Sequence, residues 1–148
     1  KRNTKSLIQP GLGLLPLHTE FIKKKSVGQV NLNAKWPAVV DVLGFELHHG
    51  TTVPIRDYEG STFSMFNQPQ LGWINKDSTS SNVAGTYLHG IFENGEWRTH
   101  WINKLREDSG LPPLDLDPKH HVTYRDRLID ILSDSFEEYI DINPLIAL

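Results

Sequence analysis

The hydrophobic period of this 148-residue chain changes once, at His89-Gly90, and that change limits the folds open to it. Upstream, apolar residues come in short alternating runs broken by glycine and proline, which is how strands and hairpins read. Residues 17–33 carry Phe21, Ile22, Val27, Val30 and Leu32 and predict two short strands around a Lys23-Lys24-Lys25 turn. Residues 34–43, with Trp36-Pro37 and Val39-Val40, read as a loop feeding a strand. Gly44–Gly50 (GFELHHG) reads as a strand end, and 51–74 as hairpin-like segments interrupted at Gly60, Pro69 and Gly72. Residues 75–82 form a polar loop, and Val83–Leu88 is one more short strand running directly into His89.

Downstream the period becomes helical. Trp97, Trp101, Ile102 and Leu105 fall at i, i+4, i+5 and i+8 and predict a helix over Glu93–Ser109, stopped by Gly110. After Leu111-Pro112-Pro113 a second helix opens at Asp117-Pro118, with aspartate as N-cap and proline at the first helical position. Its apolar face carries Leu128, Ile131, Leu132, Phe136, Tyr139 and Ile140, and it ends before Pro144. This Asp117–Ile140 helix is expected to bury Leu128, Ile131, Leu132 and Phe136 against the sheet. The order is that of an α/β chain with a β-rich first half followed by two helices.

Composition narrows the functions. A 38% hydrophobic content suffices for one packed domain. The net charge of −3 disfavours broad nucleic-acid binding. No apolar run approaches the ~20 residues of a membrane helix, and the basic start Lys1–Lys5 leads into no signal-peptide core, so a cytoplasmic protein is expected. The chain holds no cysteine, which removes disulfides, thiolate-bound zinc and any thiol nucleophile of its own.

Candidate motifs are few. Gly11-Leu12-Gly13-Leu14-Leu15-Pro16 has proline where a dinucleotide fingerprint needs its third glycine and no Gly-Lys-Ser/Thr ending, so it reads as a turn into a strand. His48-His49 and His120-His121 are adjacent pairs; strand neighbours point to opposite faces, and no metal motif is present, so no metal is expected. Glu46 and His48 lie two apart on a strand and share a face. His89 stands at a strand end where Gly90 lets the chain turn sharply, a position suited to a general acid or base.

Taken together, Gly11–Pro16, Gly44-Phe45-Glu46-Leu47-His48-His49-Gly50 and Gly85-Thr86-Tyr87-Leu88-His89-Gly90-Ile91-Phe92 resemble, in order and spacing, the C-terminal glutamine amidotransferase domain of the cobyric acid synthases. The resemblance extends to Leu111-Pro112-Pro113 and Arg125-Asp126-Arg127-Leu128, and GTYLHGIF is its most specific piece. The cobyrinic acid a,c-diamide synthases share the fold, but their histidine segment lacks this Gly-Ile-Phe continuation.

The resemblance implies the C-terminal part of a flavodoxin-like amidotransferase domain over residues 1–148. It implies that a cysteine attacks the glutamine amide and that ammonia leaves a thioester, with His89 as the catalytic base and acid. Tyr87, Glu46 and His48 become active-site neighbours without assigned roles. An upstream domain using ATP and Mg²⁺ would activate the b, d, e and g carboxylates of adenosylcobyrinic acid a,c-diamide, so the implied partners are glutamine, the corrin substrate and that upstream part. The wider class often places glutamate two positions after its histidine; here that position is Ile91, as in the cobyric acid branch. The nucleophilic cysteine of the family lies upstream of the GLGLLP segment, so the chain is expected to be a C-terminal fragment. The alternatives are a split subunit, or a non-catalytic module that kept the fold and lost the chemistry.

Overall fold

The computed structural model describes residues 8–56, 62–75, 83–116 and 121–140. Strand β1 (Leu17–Ala34) and strand β2 (Val40–Pro54) form a long antiparallel hairpin. Short strands β3 (Thr62–Ser64), β4 (Gly72–Asn75) and β5 (Val83–Thr86) make a second antiparallel sheet in the order β3-β4-β5. The chain then bends at Tyr87 and rejoins the first sheet as the two-residue strand β6 (Leu88–His89), giving the order β1-β2-β6. Helices α1 (Gly95–Asp108) and α2 (His121–Tyr139) follow. The architecture is mixed α/β with a β-rich first half, as the change of period predicts. All strand pairs among the described residues are antiparallel.

The two strands expected around Lys23–Lys25 are one. The register jumps between Glu20 and Lys25, so that residues 21–24 stand opposite Gly50 alone. This is a bulge, and it reverses which parity of β1 faces inward. Beyond it Val30, Leu32 and Ala34 point to the core; before it Leu17 and Thr19 do. Gly50 makes the bulge possible: it has φ +125°, and a Cβ there would lie 2.5 Å from the Glu20 carbonyl oxygen. Lysine runs suggest a turn because they are exposed, but an exposed bulge satisfies the same solvation. Gly44–Gly50 is likewise the middle of β2 rather than a strand end.

The core lies between the two sheets and α1. Leu32, Ala34, Val40 and Val42 of the first sheet meet Met65, Phe66, Leu71 and Ile74 around the second, and Leu88, Ile91 and Trp97 close it. A β-bridge between Ala34 and Phe66, with Lys35 N–H donating to Met65 O at 2.7 Å, ties the sheets together. Helix α1 starts after Asn94 and is ended by Gly110 in the left-handed region at φ +69°, close to its predicted bounds. It buries Trp97, whose indole N–H donates to Trp36 O at 3.0 Å. The Gly11–Pro16 segment is a bend feeding β1.

Helix α2 corrects the expectation for its apolar face. Leu128, Ile131, Leu132 and Phe136 are exposed, Leu132 at 59%, and none is buried against the sheet. The helical period predicts that one face is apolar; it carries no information about which surface will cover it. The polar loop at 76–82, the Asp117-Pro118 opening of this helix and its end before Pro144 lie outside the described residues.

Candidate active site

His89 is the last residue of β6, and Gly90 follows it at φ +79°, in the left-handed conformation that lets the chain reverse. Ile91–Glu93 then form one 3₁₀ turn leading into α1. Pairing with β2 is antiparallel, with Phe45 opposite His89 and Glu46 opposite Leu88. Opposed residues share a face, so His89 and Phe45 lie on one side of the sheet, Glu46 and Leu88 on the other. Leu88 is buried in the core and His89 is exposed.

This approach of β6 to β2 depends on Gly44. A Cβ on Gly44 would lie 2.5 Å from Leu88 Cδ1 and 2.6 Å from the His89 carbonyl oxygen. The second contact is with backbone and cannot be relieved by a rotamer change. Gly44→Ala is therefore expected to push β6 off β2 and to cost about 1–3 kcal/mol, as overpacking does. Urea unfolding of the 148-residue chain measures it; a stability equal to that of the parent would mean β6 does not pack as described.

The structure brings three of the four sequence-selected residues together and leaves the fourth apart. His48 Nε2 is 2.8 Å from Glu46 Oε1, and its Nδ1 is 3.1 Å from the Gly50 carbonyl oxygen. Tyr87 stacks on His48 with centroids 4.4 Å apart and planes 19° from parallel. His89 lies on the opposite face, in a separate cleft of about 790 Å³ with Gln29, Asn31, Phe45 and Glu93, flanked by Thr123 and Arg125 of α2.

Two residues of this site were missed in the sequence. Asn94 is buried and fastens the turn after His89 to β2: its Oδ1 accepts from Leu43 N–H at 2.8 Å, while its Nδ2 donates to Leu43 O at 2.9 Å and Ile91 O at 3.0 Å. Glu93 is drawn back over Gly90 by the 3₁₀ turn, its N–H donating to Gly90 O at 2.9 Å, which places its side chain in the His89 cleft. A search for a carboxylate two positions after the histidine passes over it; the glycine-initiated turn was the available signal. Among the described residues, no three His, Asp or Glu side chains converge as a metal site would require.

The geometry is that of an exposed imidazole on a short, externally braced strand. Residues 1–97 match the CobB/CobQ-like glutamine amidotransferase domain. The chain belongs to that family. It is 45% identical over 138 residues to a cobyric acid synthase of Synechococcus sp. (strain CC9605) and 45% identical over 137 residues to one of Prochlorococcus marinus (strain MIT 9313). A cobyric acid synthase of Parasynechococcus marenigrum (strain WH8102) is 44% identical over 137 residues. In each case the match covers 93% of this chain and 27% of the relative. The chain thus spans about a quarter of the length of the curated relatives it matches, and corresponds to their C-terminal part. No helix among the described residues is long and apolar enough to cross a membrane.

Proposed function

We propose that this chain is the histidine-bearing part of the glutamine amidotransferase of a cobyric acid synthase, with His89 as its general base and acid. The observation that carries the reading is the family match over residues 1–97 together with the long, well-covered similarity to cobyric acid synthases. Its finer fold would be the C-terminal part of a flavodoxin-like amidotransferase domain, whose parallel strands come from the upstream part of the enzyme. The open side of the β1-β2-β6 sheet fits such a neighbour. Val27, Leu43, Phe45 and Val53 are exposed there, and apolar strand faces are ordinarily covered. His89 shares that side with Phe45.

In this reading the upstream part supplies a cysteine facing His89. The imidazole takes the thiol proton and the thiolate attacks the amide carbon of glutamine. The same proton goes to the leaving nitrogen as the C–N bond breaks, giving ammonia and a thioester. His89 then takes a proton from water as it attacks the thioester, releasing glutamate and restoring the thiol. The ammonia would be consumed in ATP- and Mg²⁺-dependent amidation of the b, d, e and g carboxylates of adenosylcobyrinic acid a,c-diamide. ATP and Mg²⁺ would belong to the upstream part, as the resemblance to the cobyric acid synthases implies. A cytoplasmic location fits that chemistry.

The test is a cobyric acid synthase carrying this chain as its C-terminal part, its own or a chimera with the remainder of the Synechococcus sp. CC9605 enzyme. It is expected to amidate the corrin with glutamine or with ammonia, whereas the 148-residue chain alone releases no ammonia from glutamine, having no thiol. An enzyme that used ammonia but not glutamine would overturn the reading.

A further inference from the structure

His89 stands on a strand too short to hold itself. β6 is two residues long and lies at the point where the chain leaves one sheet for the other. Downstream, the turn after His89 is fastened to β2 by Asn94. The residue that fixes the upstream end is Tyr87, and both sheets grip it.

From the first sheet, Tyr87 stacks on His48 of β2, which is itself held by Glu46 and the Gly50 carbonyl. The Tyr87 hydroxyl lies 2.8 Å from Thr52 Oγ1, which in turn lies 2.8 Å from Thr19 Oγ1, so a chain of hydroxyls crosses β2 to β1. That chain exists because the bulge in β1 returns Thr19 to the inner face opposite Thr52. From the second sheet, Trp73 of β4 meets the Tyr87 ring edge-on, with centroids 6.0 Å apart. Tyr87 N–H donates to Leu71 O at 2.9 Å. Thr86 Oγ1 also donates to Leu71 O, at 2.7 Å, and accepts from Leu88 N–H at 2.9 Å, fixing the bend on either side of Tyr87.

We propose that Tyr87 is a positioning residue for His89: clamped between the sheets through His48, Thr52 and Trp73, it sets where β6, and so the imidazole, presents itself to the reacting atoms. This rests on the amidotransferase reading of His89. It assigns Glu46 and His48 a part in the same device, as the hydrogen-bonded platform under the Tyr87 ring rather than as groups that touch substrate. Small displacements of a catalytic group are expensive: a shift of about 1 Å can cost on the order of 100-fold in rate. A positioning residue should therefore act on kcat for glutamine, leaving KM for glutamine and the ammonia-supported reaction in place.

The experiment compares Tyr87→Leu, Tyr87→Phe and Thr52→Val in the synthase carrying this chain, with His89→Ala in parallel. Tyr87→Leu, which loses the stack and the hydroxyl, is expected to lower glutamine-dependent kcat by about 10- to 100-fold. Tyr87→Phe keeps the stack and is expected to recover most of that rate, with a residual loss of about 2- to 10-fold, the worth of one hydroxyl hydrogen bond. Thr52→Val, which loses the Thr19 link as well, should lose at least as much, and the double variant should lose no more than Thr52→Val alone, because the Tyr87–Thr52 link is already gone. Should Tyr87→Leu fail to accumulate, the Phe–Val pair decides. Non-additive losses in kcat with an intact ammonia rate support the clamp. Parental kcat in both variants overturns it, as does a Tyr87→Leu effect confined to KM or shared equally by the ammonia reaction. An undiminished glutamine rate in His89→Ala defeats the amidotransferase reading itself. Normal dependence on His89 with parental kcat in Tyr87→Leu defeats only the positioning role.

Discussion

Replacing His89 with alanine in the synthase carrying this chain is expected to lower glutamine-dependent amidation by on the order of 10²- to 10⁴-fold, the usual worth of a positioned acid–base group. Ammonia-dependent amidation should be unaffected, because the proton transfers assigned to His89 concern only the release of ammonia from glutamine. The separation of the two rates is the informative part. A parallel fall in both would mean that the substitution disturbs the enzyme as a whole. The local structure argues against that: His89 is exposed, while its neighbours Leu88 and Ile91 carry the packing. The imidazole can be removed without opening a cavity. The measurement is initial rate with glutamine and with ammonium salt at the same pH, and an undiminished glutamine rate would remove His89 from the mechanism.

The second large effect falls on stability. Phe66 is fully buried at the junction of the two sheets, bridged through its backbone to Ala34 and lying against Gly72. A Cβ on Gly72 would come within 2.6 Å of the Phe66 ring, so glycine is what lets the ring pack against the start of β4. Phe66→Ala is expected to cost about 3–5 kcal/mol, the sum of lost transfer energy and an unfilled cavity. That is a large share of the stability of an ordinary domain, about 5–15 kcal/mol. Phe66→Leu, which keeps more of the volume, should cost less. Urea denaturation of the 148-residue chain measures both, and a neutral Phe66→Ala would mean that the sheets do not meet at this ring.

Much of the candidate site was legible before the fold was known. A strand running into His-Gly and then a helical period places the histidine at a chain reversal, because only a glycine makes the left-handed turn at no steric cost. The common face of Glu46 and His48 follows from strand alternation and is realised as a side-chain contact of 2.8 Å between His48 Nε2 and Glu46 Oε1. Asn94 and Glu93 were not legible in the same way. Their roles arise from the 3₁₀ turn between β6 and α1, and no periodicity marks a turn of three residues. Nor does any local signal say that Tyr87 would be gripped by Thr52 and Trp73, residues that reach it from two different sheets.

Local chemistry by itself determined the element types, the reversal at His89-Gly90 and the span of α1 to within two residues, and the resemblance carried by GTYLHGIF pointed to the amidotransferase family. These are short-range properties: alternation, capping, glycine geometry and a contiguous motif. Only the tertiary structure decided that residues 21–24, with Lys23 and Lys24 among them, are a bulge within one long strand. A bulge and a turn expose the same lysines, and they differ only in what the far strand does. Only the tertiary structure put His89 and the Glu46–His48 pair on opposite faces, because that depends on the register of β6 against β2. It also left the apolar face of α2 uncovered, since amphipathic spacing fixes which side of a helix seeks burial while the surface that meets it is set by the rest of the assembly.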